Sequence, residues 1–143
     1  MKLYLAYGSN LNLEQMAKRC PTARVVGTSM LEDYQLTFRR VATIEPQKGS
    51  CVPVAIWEID EHSEIALDRY EGYPRLYRKE YLNIDINGER KQALVYIMNI
   101  GEPQYPDSYY YGVIMQGYHD VGLDTIHLEN ALKDTKRRIR NER

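Results

Sequence analysis

The dipeptide Asn87-Gly88 constrains the fold more than any other feature, because it separates two β-type runs. These runs are Tyr81–Ile86 and Lys91–Met98. Asn-Gly favours the tight two-residue turn that joins antiparallel strands with a right-handed twist. The sequence therefore predicts a β-hairpin here, and the fold must contain an antiparallel sheet to which this hairpin belongs.

Further short β-type runs precede the hairpin. We expect them at Lys2–Tyr7, Val25-Val26, Tyr34–Phe38, Val41–Ile44 and Val52–Ile59. The last run is apolar on both faces until its end, whereas a strand with one solvated face would alternate. A central position in the sheet is therefore predicted for residues 52–59.

Three segments show helical spacing. The first follows Asn12, which with Gln15 forms a capping-box pattern, and it ends before Pro21. The second runs from Asp60 to Tyr70, with its buried face predicted at Ile65, Ala66 and Tyr70. The third is a basic segment that begins at about residue 124 and carries apolar residues at Leu128, Leu132 and Ile139. Between the second hairpin strand and this helix, a loop rich in Pro and Tyr is expected, including residues 103–112.

Mostly antiparallel strands with a few helices indicate the α+β class, and we expect a single domain over residues 1–143. The net charge of −1 gives no field that would attract nucleic acid or an anionic membrane, and neither partner is expected. The apolar run after Met1 is too short for a signal peptide, and Cys20 and Cys51 form no disulfide framework or metal-ligand pattern. A cytoplasmic protein is therefore expected, whereas its oligomeric state is not indicated.

The segment Tyr7-Gly8-Ser9-Asn10 lies where a predicted strand passes into a helix. Gly8 permits a close approach that a side chain would block. Backbone amides of such a turn, close to a helix N-terminus, can bind a carboxylate or a developing oxyanion. The alternative is an ordinary turn in which Gly and Asn serve conformation only.

Glu71 is the candidate acid–base residue, because it ends the second predicted helix between Tyr70 and Gly72. A carboxylate at a helix C-terminus faces the negative end of the helix dipole, and aromatic neighbours exclude water. Both effects raise the pKa of the carboxyl and favour a general base near neutral pH. A cation nearby, from Arg69, Arg75 or Arg78, would lower it again. The alternative is a solvated surface glutamate.

Four segments occur in an order that resembles the γ-glutamyl cyclotransferase family, including its γ-glutamylamine-specific and AIG2-like branches. They are YGSNL, VATIEP, LDRYEG and the Pro-Tyr loop before a Gly-containing turn, and the resemblance covers about residues 3–123. It implies a small mixed, mostly antiparallel β-barrel with flanking helices. It also implies an enzyme that needs no cofactor and no metal and releases 5-oxoproline from γ-glutamyl compounds.

The same resemblance assigns site residues. It implies that Glu71 is the catalytic residue and that the substrate contacts Tyr7, Gly8, Ser9, Asn10, Leu11, Tyr77, Tyr96 and Tyr110. The family's Pro-Ser-x-x-Tyr element departs here, because Ser108 has moved by one position, so Tyr109 is an alternative to Tyr110. The spacing of Pro74 and Tyr77 is nearer the γ-glutamylamine and AIG2-like branch.

The chemistry that the resemblance implies suits these residue types. The α-amine of the substrate attacks its own γ-carbonyl, closes a five-membered ring and expels an amine, so orientation supplies much of the acceleration. One glutamate can act first as base and then as acid, while amides hold the anionic oxygens. The alternative hypothesis is a module of the same fold that binds a γ-glutamyl metabolite or a protein without turnover.

Overall fold

The computed structural model describes residues 1–141, and these form one five-stranded sheet with four α-helices and a 3₁₀ turn. The strands are β1 Lys2–Ala6, β2 Arg24–Arg39, β3 Val41–Ile59, β4 Tyr77–Ile86 and β5 Glu89–Met98. The helices are α1 Leu13–Arg19, α2 Glu61–Tyr70, α3 Ser108–Asp120 and α4 Ile126–Asn141, and the 3₁₀ turn is Ser9–Leu11. The predicted α+β class is confirmed.

The strands lie in the order β2-β3-β1-β5-β4, and every neighbouring pair is antiparallel except β1 with β5. A mixed, mostly antiparallel sheet was expected and is found. Within residues 1–141, β2 and β4 form the two edges of the sheet and are not hydrogen-bonded to each other. The barrel is therefore an open one.

The predicted hairpin is confirmed as β4 and β5. Asn87 and Gly88 have φ angles of 50° and 81°, which are the left-handed values that this turn requires, and Ile86 pairs with Glu89. The central position predicted for residues 52–59 is also confirmed, because β3 lies between β2 and β1 and is buried from Val52 to Trp57.

The short runs expected between residues 25 and 44 are in fact parts of one long hairpin, β2 and β3. Asp33 interrupts the apolar pattern at an irregularity in the register, where its φ is 63° and its carboxylate accepts a bond from Gly49 N–H at 3.0 Å. Arg40 makes the reversal between the strands with a φ of 72°. Polar residues at such breaks hide the continuity of a strand, because they interrupt its alternation.

Helix α2 begins after Asp60, whose carboxylate accepts the Ser63 N–H at 2.8 Å. Its predicted buried face is wrong at two of three positions, since Ile65 is 49% exposed and Tyr70 is 43% exposed. Ser63 and Leu67 are the buried residues of this helix, and Ala66 packs against the core. Sequence spacing does not reveal that the helix end, with Tyr70, leaves the core and borders a cavity.

The loop expected around residues 103–112 is wrong from Ser108 onward, where helix α3 begins. Asp107 caps it by accepting the Tyr110 N–H at 2.7 Å. The tyrosine-rich stretch follows two prolines and contains two glycines, so its composition resembles that of a loop. The segment is nevertheless helical, and α3 packs against the Ser9–Leu11 turn, where Gly117 permits close contact.

Helix α4 is present where the basic helical segment was predicted, with Leu128, Ala131 and Thr135 buried. Thr135 Oγ1 accepts the Phe38 N–H of β2 at 3.3 Å, and so α4 is bonded to the sheet. Glu142 and Arg143, the last residues of that predicted segment, lie outside the described residues. Among residues 1–141, none of the helices has the length and apolar character needed to span a bilayer.

Candidate active site

A cavity of about 230 Å³ opens where the end of β1, the end of α2 and the start of α3 meet. Its wall consists of tyrosines, the segment Tyr7-Gly8-Ser9-Asn10 (the glycine turn), one carboxylate and a few aliphatic side chains. The lining residues are Tyr4, Leu5, Tyr7, Gly8, Ser9, Asn10, Val41, Ala42, Tyr70, Glu71, Leu76, Tyr77, Tyr96 and Tyr110. The two candidate elements of the sequence, the glycine turn and Glu71, therefore lie at one cavity.

The turn from Gly8 to Asn12 is held by its own backbone, since Leu11 N–H donates to Gly8 O at 3.0 Å and Asn12 N–H to Ser9 O at 3.1 Å. The N–H groups of Gly8, Ser9 and Asn10 donate to no group of residues 1–141. These N–H groups are therefore unpaired at three residues that line the cavity. A Cβ on Gly8 would lie 3.4 Å from Ala42 Cβ, so a side chain would narrow the cavity here.

Glu71 is the C-cap of α2 and is partly buried at the cavity wall. Gly72 follows with a φ of 63°, and Tyr73 N–H donates to Asp68 O at 2.9 Å, which closes the helix. Burial raises the pKa of the Glu71 carboxyl from 4.5 to about 7, although the Arg19 charge opposes it. The wholly solvated surface glutamate is not observed.

The cation that acts on Glu71 comes from outside the segment where one was expected. Arg69 and Arg75 are exposed, and Arg78 pairs with Glu80 at 2.6 Å. Arg19, at the end of α1, is the residue whose charge lowers the Glu71 pKa. It lies far from Glu71 in sequence, and only the packing of α1 beside α2 brings the two together.

The hydroxyl groups of three lining tyrosines are hydrogen-bonded to the backbone. Tyr7 donates to Tyr96 O at 2.6 Å, Tyr77 donates to Ala42 O at 2.5 Å, and Tyr110 accepts the Ala42 N–H at 3.0 Å. Tyr96 instead donates to Asp68 Oδ1 at 2.6 Å. Burial raises the pKa of each of these four phenols, so they are neutral near pH 7.

The two tyrosine alternatives of the shifted Pro-Ser-x-x-Tyr element differ in position. Tyr110 lines the cavity, whereas Tyr109 is 76% exposed on the outer face of α3. Of the predicted substrate contacts, Leu11 alone does not line the cavity, because its side chain is fully buried in the core. Leu11 is bonded to the turn through its backbone, since its N–H donates to Gly8 O.

The structure also brings residues to the cavity that were not among the predicted contacts. They are Tyr4, Leu5, Val41, Ala42, Tyr70 and Leu76. Tyr4 and Leu5 belong to the apolar run of β1, and this run indicates that they are buried but not that they line a cavity. Tyr70 precedes Glu71 in sequence, and this adjacency is the one signal that could have identified it.

Other groups with chemical potential lie away from the cavity. Cys20 is buried and Cys51 is exposed, and neither forms a disulfide. Within residues 1–141, His, Cys, Asp and Glu side chains do not gather in groups of three or more that could hold a metal.

Comparisons with known proteins give one family. A model of the family described as Gamma-glutamyl cyclotransferase, AIG2-like matches residues 4–118. Gamma-glutamylcyclotransferase of Homo sapiens is 28% identical over 138 residues, which covers 85% of this chain and 72% of that protein. The protein of the same name from Mus musculus is 29% identical over the same shares.

Solved structures agree. One named Gamma-glutamyl cyclotransferase aligns with a TM-score of 0.81 at 26% identity, covering 91% of this chain and 85% of that chain. An AIG2-like protein from Mus musculus aligns with a TM-score of 0.58 at 24% identity, over 68% of this chain and 77% of that chain, and supports the fold alone. The chain therefore belongs to the Gamma-glutamyl cyclotransferase, AIG2-like family.

Proposed function

We propose that this protein is a γ-glutamyl cyclotransferase that converts a γ-glutamyl amide or peptide into 5-oxoproline and a free amine. The observation that carries this proposal is that Glu71, whose pKa burial raises to about 7, lines the same cavity as Gly8, Ser9 and Asn10, whose backbone N–H groups lack acceptors within residues 1–141. The named relatives are γ-glutamylcyclotransferases, which supports the same activity.

Glu71 would serve as the proton shuttle. With a pKa of about 7, the carboxyl is divided between its two forms near neutral pH, so it can accept a proton and return it within one turnover. It would take a proton from the substrate's α-ammonium, and the freed amine would attack the γ-carbonyl carbon. The proton held by Glu71 would then pass to the leaving nitrogen as the C–N bond breaks. The ring nitrogen would give its second proton to the released amine, which departs as an ammonium ion.

The glycine turn would hold negative charge. A cyclotransferase must bind the α-carboxylate of its substrate and stabilise the oxyanion of the tetrahedral intermediate. Gly8, Ser9 and Asn10 line the cavity, and their N–H groups lack acceptors within residues 1–141, so they would be its anion donors. Fixed amide donors of this kind stabilise developing charge without reorganisation during the reaction.

The tyrosines would impose the substrate's conformation. Because Tyr7, Tyr77 and Tyr110 are hydrogen-bonded to backbone groups, their rings are held in place and define the cavity walls. An intramolecular attack gains most when the chain is held with its ends together. A cavity of about 230 Å³ suits a small molecule, and the partner we propose is a γ-glutamyl amine or peptide.

A cytoplasmic location is part of the proposal. It is supported by two cysteines that remain free thiols, one buried and one exposed, as is usual in a reducing compartment.

The function is tested by incubating the protein with γ-glutamylalanine, γ-glutamyl-ε-lysine and γ-glutamylbutylamide and measuring 5-oxoproline by mass spectrometry. α-Glutamylalanine is the matched control, because its free γ-carboxyl lacks the scissile amide. We expect 5-oxoproline from at least one γ-glutamyl compound and none above background from the control. Binding without product across the panel would contradict the enzyme and favour a non-catalytic binding module.

A further inference from the structure

Arg19 does not line the cavity, yet its guanidinium contacts both sides of it. The group lies 3.4 Å from the centroid of the Tyr70 ring and donates hydrogen bonds to the side-chain oxygens of Asn10 and Gln15. Asn10 belongs to the glycine turn, and Tyr70 directly precedes Glu71. One side chain of α1 therefore bridges two elements that are about sixty positions apart in the sequence.

Two of these partners, Asn10 and Tyr70, are also hydrogen-bonded to residues that line the cavity. Asn10 Nδ2 donates to the Tyr4 hydroxyl at 2.9 Å, and the Tyr70 hydroxyl lies 2.6 Å from Ser9 Oγ. The guanidinium thus closes a ring of contacts that runs from the glycine turn through Arg19 to the end of α2 and returns through Ser9. Loss of Arg19 would open this ring, in which the bond between Ser9 and Tyr70 would remain.

We propose that Arg19 is a positioning residue for this enzyme, which holds the glycine turn and the Glu71 end of α2 in register and provides the cation that faces Glu71. This inference rests on the proposed function. The feature required is a planar cation that can stack on Tyr70 and donate to two amide oxygens at once, which a lysine cannot reproduce.

The charges around Glu71 are consistent with this role. The other titratable groups that interact with it are phenols from β1, the glycine turn, β4 and α3, namely Tyr4, Tyr7, Tyr77 and Tyr110. Burial raises the pKa of each phenol, so all four are neutral near pH 7. Arg19 is then the cation that opposes the rise in the Glu71 pKa caused by burial.

Three variants test the proposal: Arg19→Gln, Arg19→Lys and the control Lys18→Gln. Lys18 is the preceding residue of α1, is exposed, and pairs with Glu14 at 3.3 Å, so its substitution removes the same charge without touching the bridge. For each variant, kcat/KM for 5-oxoproline formation is measured from pH 5 to 8.5, and the melting temperature is measured alongside.

Arg19→Gln should lower kcat/KM on the order of tenfold, because the reacting groups lose their register. It should also move the acid limb of the profile to higher pH, because Glu71 loses the cation that favours its ionised form. In Arg19→Lys the acid limb of the pH profile should lie at nearly the same pH as in the wild type, because a cation is still present, but kcat/KM should be lower. Lys18→Gln should match the wild type in both.

The proposal is overturned if Arg19→Gln matches Lys18→Gln, or if it only lowers the melting temperature and leaves the acid limb in place. A second measurement needs no turnover: the Glu71 carboxyl is titrated by ¹³C NMR, with its signal assigned by its loss in Glu71→Gln. Its pKa should be higher in Arg19→Gln than in Lys18→Gln, and equal values would contradict the inference. A wild type that makes no 5-oxoproline contradicts the proposed function instead, so the two failures are distinguishable.

Discussion

The Tyr70 hydroxyl lies 2.6 Å from Ser9 Oγ, so the side chain before the candidate catalytic glutamate is bonded directly to the glycine turn. Replacing Tyr70 with Phe removes this bond but keeps the ring on which Arg19 stacks. We expect kcat/KM to fall several-fold while the free energy of unfolding falls by about 1 kcal/mol or less. Steady-state kinetics and urea denaturation provide the two measurements.

Tyr73→Phe is the matched control for Tyr70→Phe. Tyr73 is three residues further along, is exposed, and does not line the cavity. Its hydroxyl should be dispensable for activity. If the two variants have equal kcat/KM, the contact between Ser9 and Tyr70 does not contribute to the reaction.

The pH dependence of kcat/KM should report Glu71. The free enzyme needs the ionised carboxylate as base, so kcat/KM should rise with pH until the carboxyl is fully deprotonated. Because the pKa of Glu71 is about 7, the midpoint of this rise should lie near pH 7. A midpoint near 4.5, the ordinary value for glutamate, would contradict the raised pKa of the Glu71 carboxyl.

Glu71 should also lower stability at alkaline pH. Its folded-state pKa of about 7 lies above the ordinary 4.5, so the folded state favours the protonated form and loses stability as pH rises between these values. The shift corresponds to at most about 3 kcal/mol. Glu71→Gln should therefore raise the free energy of unfolding at pH 8 and leave it nearly unchanged at pH 5. An equal effect at both pH values in urea denaturation would contradict the raised pKa.

Gly117 should be needed for the shape of the glycine turn. A Cβ at this position of α3 would lie 2.7 Å from Asn12 N and from Leu11 C, which is closer than a Cβ atom packs against other heavy atoms. Gly117→Ala should cost about 1–3 kcal/mol of stability and reduce activity, because α3 must move away from the turn. Thermal denaturation and kinetics test both effects.

Gly112→Ala is the control on the same helix, since a Cβ there meets no atom within 4 Å. It should stabilise the protein by up to about 1 kcal/mol, as alanine generally does in a helix. If Gly117→Ala is as stable and active as Gly112→Ala, close packing of α3 on the turn is not required.

Local signals in the sequence predicted much of this fold. Asn87-Gly88 predicted the β4–β5 hairpin, and Asn12 and Pro21 bounded α1, because turns and caps depend on a few neighbouring residues. Helix α3 was not predicted in this way, since its tyrosines and glycines are neutral or poor helix formers. Its packing against the turn adds stability that these neighbouring residues do not indicate.

The sequence indicates some residues of the candidate site and not others. Glu71 and the glycine turn stand out through sequence motifs that resemble a family, and both line the cavity. Arg19 carries no such signal, because its role depends on the packing of α1 beside α2 and not on its neighbours in sequence. Leu11, although part of the motif, lies in the core.

The variant Glu71→Gln tests whether Glu71 transfers the proton during cyclisation. The assay measures 5-oxoproline formation at saturating γ-glutamyl substrate, with calorimetry to measure substrate binding. Glu61→Gln is the control, an exposed carboxylate in the first turn of the same helix. We predict that Glu71→Gln lowers kcat by about 10³-fold and still binds substrate, whereas Glu61→Gln behaves as the wild type. A Glu71→Gln protein with the wild-type kcat would show that Glu71 does not transfer the proton.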